Sequence, residues 1–529
     1  MDIKNAKRQV VEVNTFMGTN VLDDPNTLDP SESPYIINMD ITKSGQMISR
    51  YGYEKVCELE GTGGMNGLLP FYRTYDTNKG DYLVFIHKGN IYRVTNENFT
   101  PVSIGTHAGD NVLRGITYNN VLAVGNGTPG TLMQMFDGNT MTDFSVDAPV
   151  GRYFGSYANW LFVTGVEGSP NTVYYPENEQ IDTNWEHFPV KEGDGDVLTG
   201  LFDGQNRLTL FKGDGTFGVN YGFDDEFNIS SPRVMPDISY KGGAIIPGSI
   251  QMIYGYFYFL SRHGFQIFGP SSESLSADLP LPLSLKITPL IRQINIKFGD
   301  RGSSAFFDEK YLAACPVGPQ ASTSNYIFVY NESVKRRFGK DNFTVYKDIP
   351  VDQFAIFRNM EKKDELYFTC NYAPILYKFN QGFSDDGYGY ERTWRSKTFQ
   401  FGERTTWEYL DLYGYKTLGS TIYLTVNADG SESEAEEITD ENLITEENGG
   451  GYIGDNYIGN EYIGDGYFSD NPTPLYRWRK RYRFTPNTKQ SYNMYFQLSN
   501  NAVGEGWGLS SYKLVYIPEA DDPAHKTTD

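Results

Sequence analysis

Residues 476–484 read YRWRKRYRF. In a β-strand alternate side chains face opposite ways, so Arg477, Arg479, Arg481 and Arg483 would line one face and Tyr476, Trp478, Tyr482 and Phe484 the other. Four guanidiniums in a row require anions. One source is SESEAEEITDENLITEENGG (431–450), which carries eight carboxylates and no basic residue. The expectation is that the two stripes neutralise each other within or between subunits, ahead of an arginine face aimed at DNA phosphate. Between them, GYIGDNYIGNEYIGDGYFSD (451–470) sets Tyr452, Tyr457, Tyr462 and Tyr467 at intervals of five. In one continuous strand that period would throw successive tyrosines to opposite faces, so each pentad reads as a short extended piece and a glycine turn. Tyrosine is enriched at protein interfaces and glycine permits close backbone approach, which makes the ribbon a candidate subunit contact. These four tyrosines and four arginines are the candidate interface residues.

Elsewhere the residues with catalytic or ligating potential fall short of a site. KEGDGDVLTG (191–200) and FKGDGTFG (211–218) alternate Asp with Gly as calcium loops do, yet lack the further carboxylates and closing bidentate acid of such a loop. Asp-Gly is also the favoured hairpin-turn pair, and turn chemistry fits both. There is no G-x-S-x-G, no phosphate loop ending in G-K-S or G-K-T, and no H-E-x-x-H. Of the five histidines, His87, His107, His187, His263 and His525, two (His87 and His263) fall at hairpin turns, where a solvated or capping imidazole is expected. Cys57, Cys315 and Cys370 are too few and too scattered for a disulfide framework or zinc knuckle and read as reduced core residues. No catalytic residue, metal or cofactor is assigned, and the expectation is that the chain is not an enzyme.

Around these residues stands a composition of short strands and tight turns: of 529 residues, 15% are aromatic and 55 are glycine. The formal net charge of −22 repels polyanions at long range, so tight nonspecific binding of nucleic acid by the whole surface is not expected. The opening MDIKNAKRQVVEVNTFMG has no apolar run of signal-peptide length, and nothing approaches a membrane span, so the expectation is a soluble product of the cytoplasm.

One object recurs along the chain: an apolar strand, a turn with Gly, Asn or Pro, and a second strand. It appears at 81–94, 120–136, 159–175, 206–220, 255–269, 325–339 and 364–380, with starts 39, 39, 47, 49, 70 and 39 residues apart. That spacing matches the roughly 40–50 residues of a β-propeller blade. The long interval holds LPLSLKITPLIRQINIKF (281–298), where Leu285, Leu290, Ile291 and Ile294 lie close to helical spacing, so one short inserted helix is expected there. After residue 395 the rhythm changes: STIYLTVNADG (420–430) puts Ile422, Leu424 and Val426 on one face, and SYNMYFQLSN and SYKLVYI are likewise strand-like. The expected fold is all-β: a β-propeller of about seven blades with a C-terminal antiparallel β-sandwich. Its parts are a leader at 1–60 packing on or closing the propeller, the propeller at 61–395, and the sandwich at 396–518 with a polar insertion at 431–472. A disordered tail is expected at 519–529.

Four phrases in this order resemble the β-propeller virion proteins of tailed bacteriophages, of the tail nozzle or head-to-tail hub type. They are the leader FMGTNVLDDPNTLDPSESPYIINMDITKSGQMISRYGYEKV (16–56), with its G-x-N and N-M-D … G … R-x-G, and NWEHFPVKEGDGDVLTGLFDGQNRLTLFKGDGTFGV (184–219). The others are IIPGSIQMIYGYFYFLSRHGFQIF (245–268) and the pentad insertion followed by a basic strand. The resemblance implies a structural tail or neck component that assembles with itself in a ring and with adjacent neck and tail proteins. It implies a channel through which genomic DNA passes without tight binding, a virion location after synthesis in the host cytoplasm, and no membrane insertion by the chain itself. It carries no active site. The competing expectations are a glycan- or receptor-binding propeller at the tail tip and a propeller polysaccharide hydrolase, which would need two carboxylates roughly 5–10 Å apart.

Overall fold

The computed structural model describes residues 7–72, 81–157, 160–177, 184–204, 207–223, 229–240, 242–269, 281–444 and 475–518, and the tail expected at 519–529 lies outside the described residues. It is all-β, with a seven-bladed propeller and one large antiparallel sheet that folds around its own core.

Blades 1 to 4 are four-stranded meanders starting at Leu68–Phe71, Arg114–Tyr118, Tyr153–Tyr157 and Leu198–Gly204. Blade 5 starts at Gln251–Ile253 and has three strands among the described residues; blade 6 starts at Ser303–Phe307 and blade 7 at Val351–Arg358. In six of the seven recurring hairpins, the two strands expected from sequence are the second and third strands of a blade, the second buried almost along its whole length. The exception is 325–339. Strand Tyr326–Asn331 is followed by a helix, Glu332–Phe338, and blade 6 resumes only at Thr344–Lys347. Asn331 caps that helix by accepting the Val334 N–H at 3.2 Å, and Gly339 ends it in the left-handed conformation. The helix expected near 285–294 is a 3₁₀ turn, Leu285–Ile287, running into the single α-turn Thr288–Ile291. It covers the outer edge of blade 5, where Phe265 O accepts the Leu283 N–H at 2.9 Å.

The ring is closed by the leader. Gly52–Glu58 is the outermost strand of blade 7, antiparallel to Ile375–Gln381. At Gly52 a Cβ would sit 1.8 Å from the Ser384 carbonyl oxygen, so only glycine fits. Most of the leader, however, belongs to the large sheet: Gln9–Val13 pairs with Trp507–Pro518, Tyr35–Ile37 with Arg392–Arg395, and Met47–Ser49 with Gly508 and Leu509. The core of this sheet holds Trp394, Trp407, Trp478 and Trp507, all at zero exposure. Ile422, Leu424 and Val426 point into it, as their alternation demands.

Candidate subunit-contact face

Strand Tyr476–Arg483 lies at the edge of the large sheet beside the long strand Phe399–Lys416. The alternation is as the sequence dictates: Trp478 and Tyr482 are buried, while Arg477, Arg479, Arg481 and Arg483 are exposed on the outer face. Register supplies the counter-charge. Arg481 lies directly across from Asp411 and forms a bidentate pair with it, Nε and Nη2 each 2.6 Å from a carboxylate oxygen, and Arg479 reaches the same group at 3.8 Å. The Arg481 and Arg479 guanidiniums also lie 4.4 and 5.2 Å from the ring centres of Tyr409 and Tyr413. The hydrogen bonds to Asp411 hold the Arg481 proton more tightly than usual.

Among the described residues the acidic run forms no ion pair with the arginines. Its described part reaches lysines instead: Glu436 pairs with Lys480 at 3.1 Å, and Asp440 with the fully buried Lys416. The reason is parity, since Lys480 is on the opposite face of the strand from the arginines. Register extends the outer face over two more strands: Arg481, Asp411, Lys513 and Glu12 form one row of alternating charge. Arg477 and Arg483 have no ion pair among the described residues, so the face retains positive charge on an acidic chain. Tyr452, Tyr457, Tyr462 and Tyr467 lie outside the described residues. Asp411, Tyr409 and Tyr413 escaped the sequence reading; alternation along Phe399–Lys416 shows their face but not their neighbour.

The two Asp-Gly loops hold a cation, and it is a lysine. Lys212, 1% exposed in its side chain, puts Nζ 2.8 and 2.9 Å from the two oxygens of Asp194 and 3.0 Å from the Lys191 carbonyl. Hydrogen bonding from Lys212 lowers the Asp194 pKa. Asp196 accepts the N–H groups of Gly213 and Asp214 and so ties the loops together. Among the described residues there is no cluster of three or more metal-ligating side chains, and no helix long and apolar enough to cross a membrane.

His263 is exposed at its turn as expected, but His87 is buried, with Nδ1 3.2 Å from the Gly64 carbonyl. Cys57, Cys315 and Cys370 are buried free thiols, and burial pushes Cys57 and Cys315 up to about 12. That suppresses the thiolate, the reactive form.

A further charged group escaped the sequence reading. The first strand of each blade lies innermost, and the inner strands contact one another around the ring. At one mouth of the channel they enclose, Asp300, just before blade 6, accepts Arg114 Nη2 of blade 2 at 3.1 Å and also pairs with Arg152, just before blade 3. These residues stand on opposite sides of the ring, 186 and 148 positions apart in sequence, so no local pattern could have joined them. Nearby Asp352 is 2% exposed, and Oδ2 has no hydrogen bond among the described residues. Burial raises it to about 8 against the opposing pull of Arg301 and Arg114.

The joint between propeller and sheet is built from the leader phrases. Arg50, 1% exposed, forms a bidentate pair with Asp385 at 2.8 and 2.6 Å and donates Nε to Asn38 at 3.0 Å. Burial disfavours its charge, but Asp385 more than offsets this and raises its pKa. Arg50 and Arg392 each lie 3.8 Å from the Tyr390 ring centre, a spacing that places them on opposite faces of the ring. Asn38 also accepts the Lys347 N–H of blade 6, and Asp40 pairs with Lys310 of the same blade at 2.7 Å. At Gly18 (φ +88) a Cβ would meet the Phe343 carbonyl at 2.7 Å, and Asn20 binds Glu32 at 2.8 Å.

No protein-family model and no curated protein matches this sequence. Among solved structures, BamB from Moraxella catarrhalis aligns at 9% identity and TM-score 0.36 over 70% of this chain and 97% of that one. U3-55K aligns at 11% and 0.38 over 62% and 98%. An extracellular domain of a B. thetaiotaomicron two component system aligns at 8% and 0.37 over 68% of this chain, which spans only 42% of that one.

Proposed function

We propose that the protein is a structural component of a tailed-bacteriophage virion, a ring-forming tail or neck part of the nozzle or hub type that helps form the channel for DNA retention and ejection. The observation that carries this reading is the role of the leader residues. The G-x-N, N-M-D and R-x-G phrases on which the resemblance rests are Gly18 and Asn20, Asn38 and Asp40, and Arg50 and Gly52. Of these, Gly18, Asn38, Asp40 and Arg50 contact the propeller or the segment that follows it, and Asn20 braces the leader through Glu32. A ring protomer under load needs such a joint, because two domains on a free hinge would not hold one lateral geometry. The outer arginine face supplies a surface for an acidic neighbour, here another copy of the chain or an adjacent neck or tail protein. The channel in this reading is enclosed by the ring of protomers rather than by one propeller, whose mouth is crossed by the Arg114–Asp300–Arg152 bridge.

The test is to band particles from the source lysate on a density gradient and quantify this protein by mass spectrometry in the DNA-filled fraction. A low, fixed copy number relative to the major capsid protein is the expected result. Absence from that fraction overturns the reading.

A further inference from the structure

On the outer face of the large sheet, away from the arginine strand, three strands present a second surface of different chemistry. Gln400 lies directly across from Asn493, and Asn427 directly across from Tyr495. Met494, Phe399 and Ala428 alternate with them and point into the core. The leader closes one side, since the Thr398 N–H donates to Pro25 O at 3.0 Å and brings Asn26 over the strands. The result is an open concavity of about 370 Å³ lined by Asn26, Thr398, Gln400, Asn427, Asn493 and Tyr495, with the Asp429 turn at its rim.

Two properties set this concavity apart. First, its hydrogen-bonding capacity is unspent. The side chains of Asn26, Thr398, Gln400 and Asn493 and the Tyr495 hydroxyl make no hydrogen bond among the described residues, and the Asn427 amide uses only its oxygen, accepting Gly430 N–H at 3.1 Å. Second, its lining is mostly uncharged within a chain that is 21% charged. The one acid at the rim, Asp429, is occupied by the N–H groups of Tyr492 and Asn493 at 2.8–3.1 Å.

We propose that this concavity binds a neutral saccharide. A sugar hydroxyl is at once donor and acceptor, and a carboxamide offers both functions in one plane, so Asn26, Gln400, Asn427 and Asn493 can each satisfy adjacent hydroxyls. The Tyr495 ring, half-buried at the centre with the Arg395 guanidinium 5.2 Å from its centre, offers its remaining face to the C–H side of a pyranose. The charges beside it, Asp429 and Arg395, are engaged within the chain, so an ionic ligand would lose hydration with little replacement. The volume is at the small end of ligand pockets, roughly 300–1,000 Å³, as one or two sugar rings require. The proposal does not depend on the virion reading: the site is a property of the isolated chain, and binding by purified protein is read whether or not particles contain it.

The experiment uses the full chain and a panel of neutral sugars: glucose, galactose, mannose, N-acetylglucosamine, rhamnose and their short oligomers. Saturation-transfer NMR detects binding and calorimetry measures it. At least one member is expected to bind with Kd in the millimolar range or tighter, and Gln400→Ala with Asn493→Ala to weaken it about tenfold or more. Because neither side chain supports the fold, Tm and near-UV circular dichroism of the double variant should match wild type. A second variant, Tyr495→Ala, removes the stacking face and should weaken the same ligand. No binding by any member at about 10 mM, or an affinity unchanged in both variants, overturns the proposal.

Discussion

The protein uses arginine in two opposite ways. At the joint, Arg50 is sealed from solvent, its fork filled by Asp385 and Asn38 and its flat face covered by Tyr390. On the sheet edge four arginines stand in solvent, and among the described residues one carboxylate, Asp411, pairs with the middle two. A buried guanidinium is costly unless every donor is met, so it tolerates one geometry only and fixes the two domains to each other. An exposed one contributes little to stability but keeps its charge available to a partner. The same residue type is thus structural in one place and open to a charged neighbour in the other, and burial decides which.

Three variants test that contrast and the charge at the channel mouth. Arg50→Met leaves Asp385 buried and unpaired and is expected to lower stability by about 3–5 kcal/mol in denaturant melts. A loss below about 1 kcal/mol would mean that the joint does not depend on this pair. Asp352→Asn at the channel mouth is expected to stabilise, by an amount that depends on pH. Below about pH 4 the carboxyl is protonated both folded and unfolded and the variant matches wild type. Between about 4 and 8 the unfolded acid ionises while the folded one holds its proton, so wild type loses stability as pH rises. The advantage of Asn should grow through that window to an order of a few kcal/mol and level off above pH 8; a flat difference from pH 5 to 8 would refute the raised pKa. The smallest effect belongs to the edge strand. Arg477→Glu with Arg483→Glu should change stability by no more than about 0.5 kcal/mol yet sharply reduce incorporation into particles. Normal incorporation would remove the arginine face from the assembly.

Much of the architecture is visible in sequence because blade strands two and three are adjacent in the chain and the second is buried along nearly its whole length. Runs such as YLVFIH and WLFVT stand out against any turn. The edge strand is legible for the same reason, since alternation in YRWRKRYR is complete over eight residues. What is hidden is pairing at a distance. Nothing near Gly52 announces Ile375–Gln381, and nothing near Arg481 announces Asp411, 70 residues earlier. The hairpin expected at 325–339 fails because Asn331, which looks like a turn residue, serves as a helix cap. In the Asp-Gly loops, a composition that suggests an inorganic ion instead encloses Lys212, whose role depends on a fold that brings residues 191–196 over 211–215.

The leader strand Gln9–Val13 pairs with a strand that begins at Trp507. During translation at about 5–20 residues per second, it emerges on the order of 25–100 seconds before its partner. Blade 7 waits likewise for Gly52–Glu58 to find Ile375–Gln381. Until residues 375–381 emerge the ring keeps an unpaired edge, and until residues 512–516 emerge the large sheet does too.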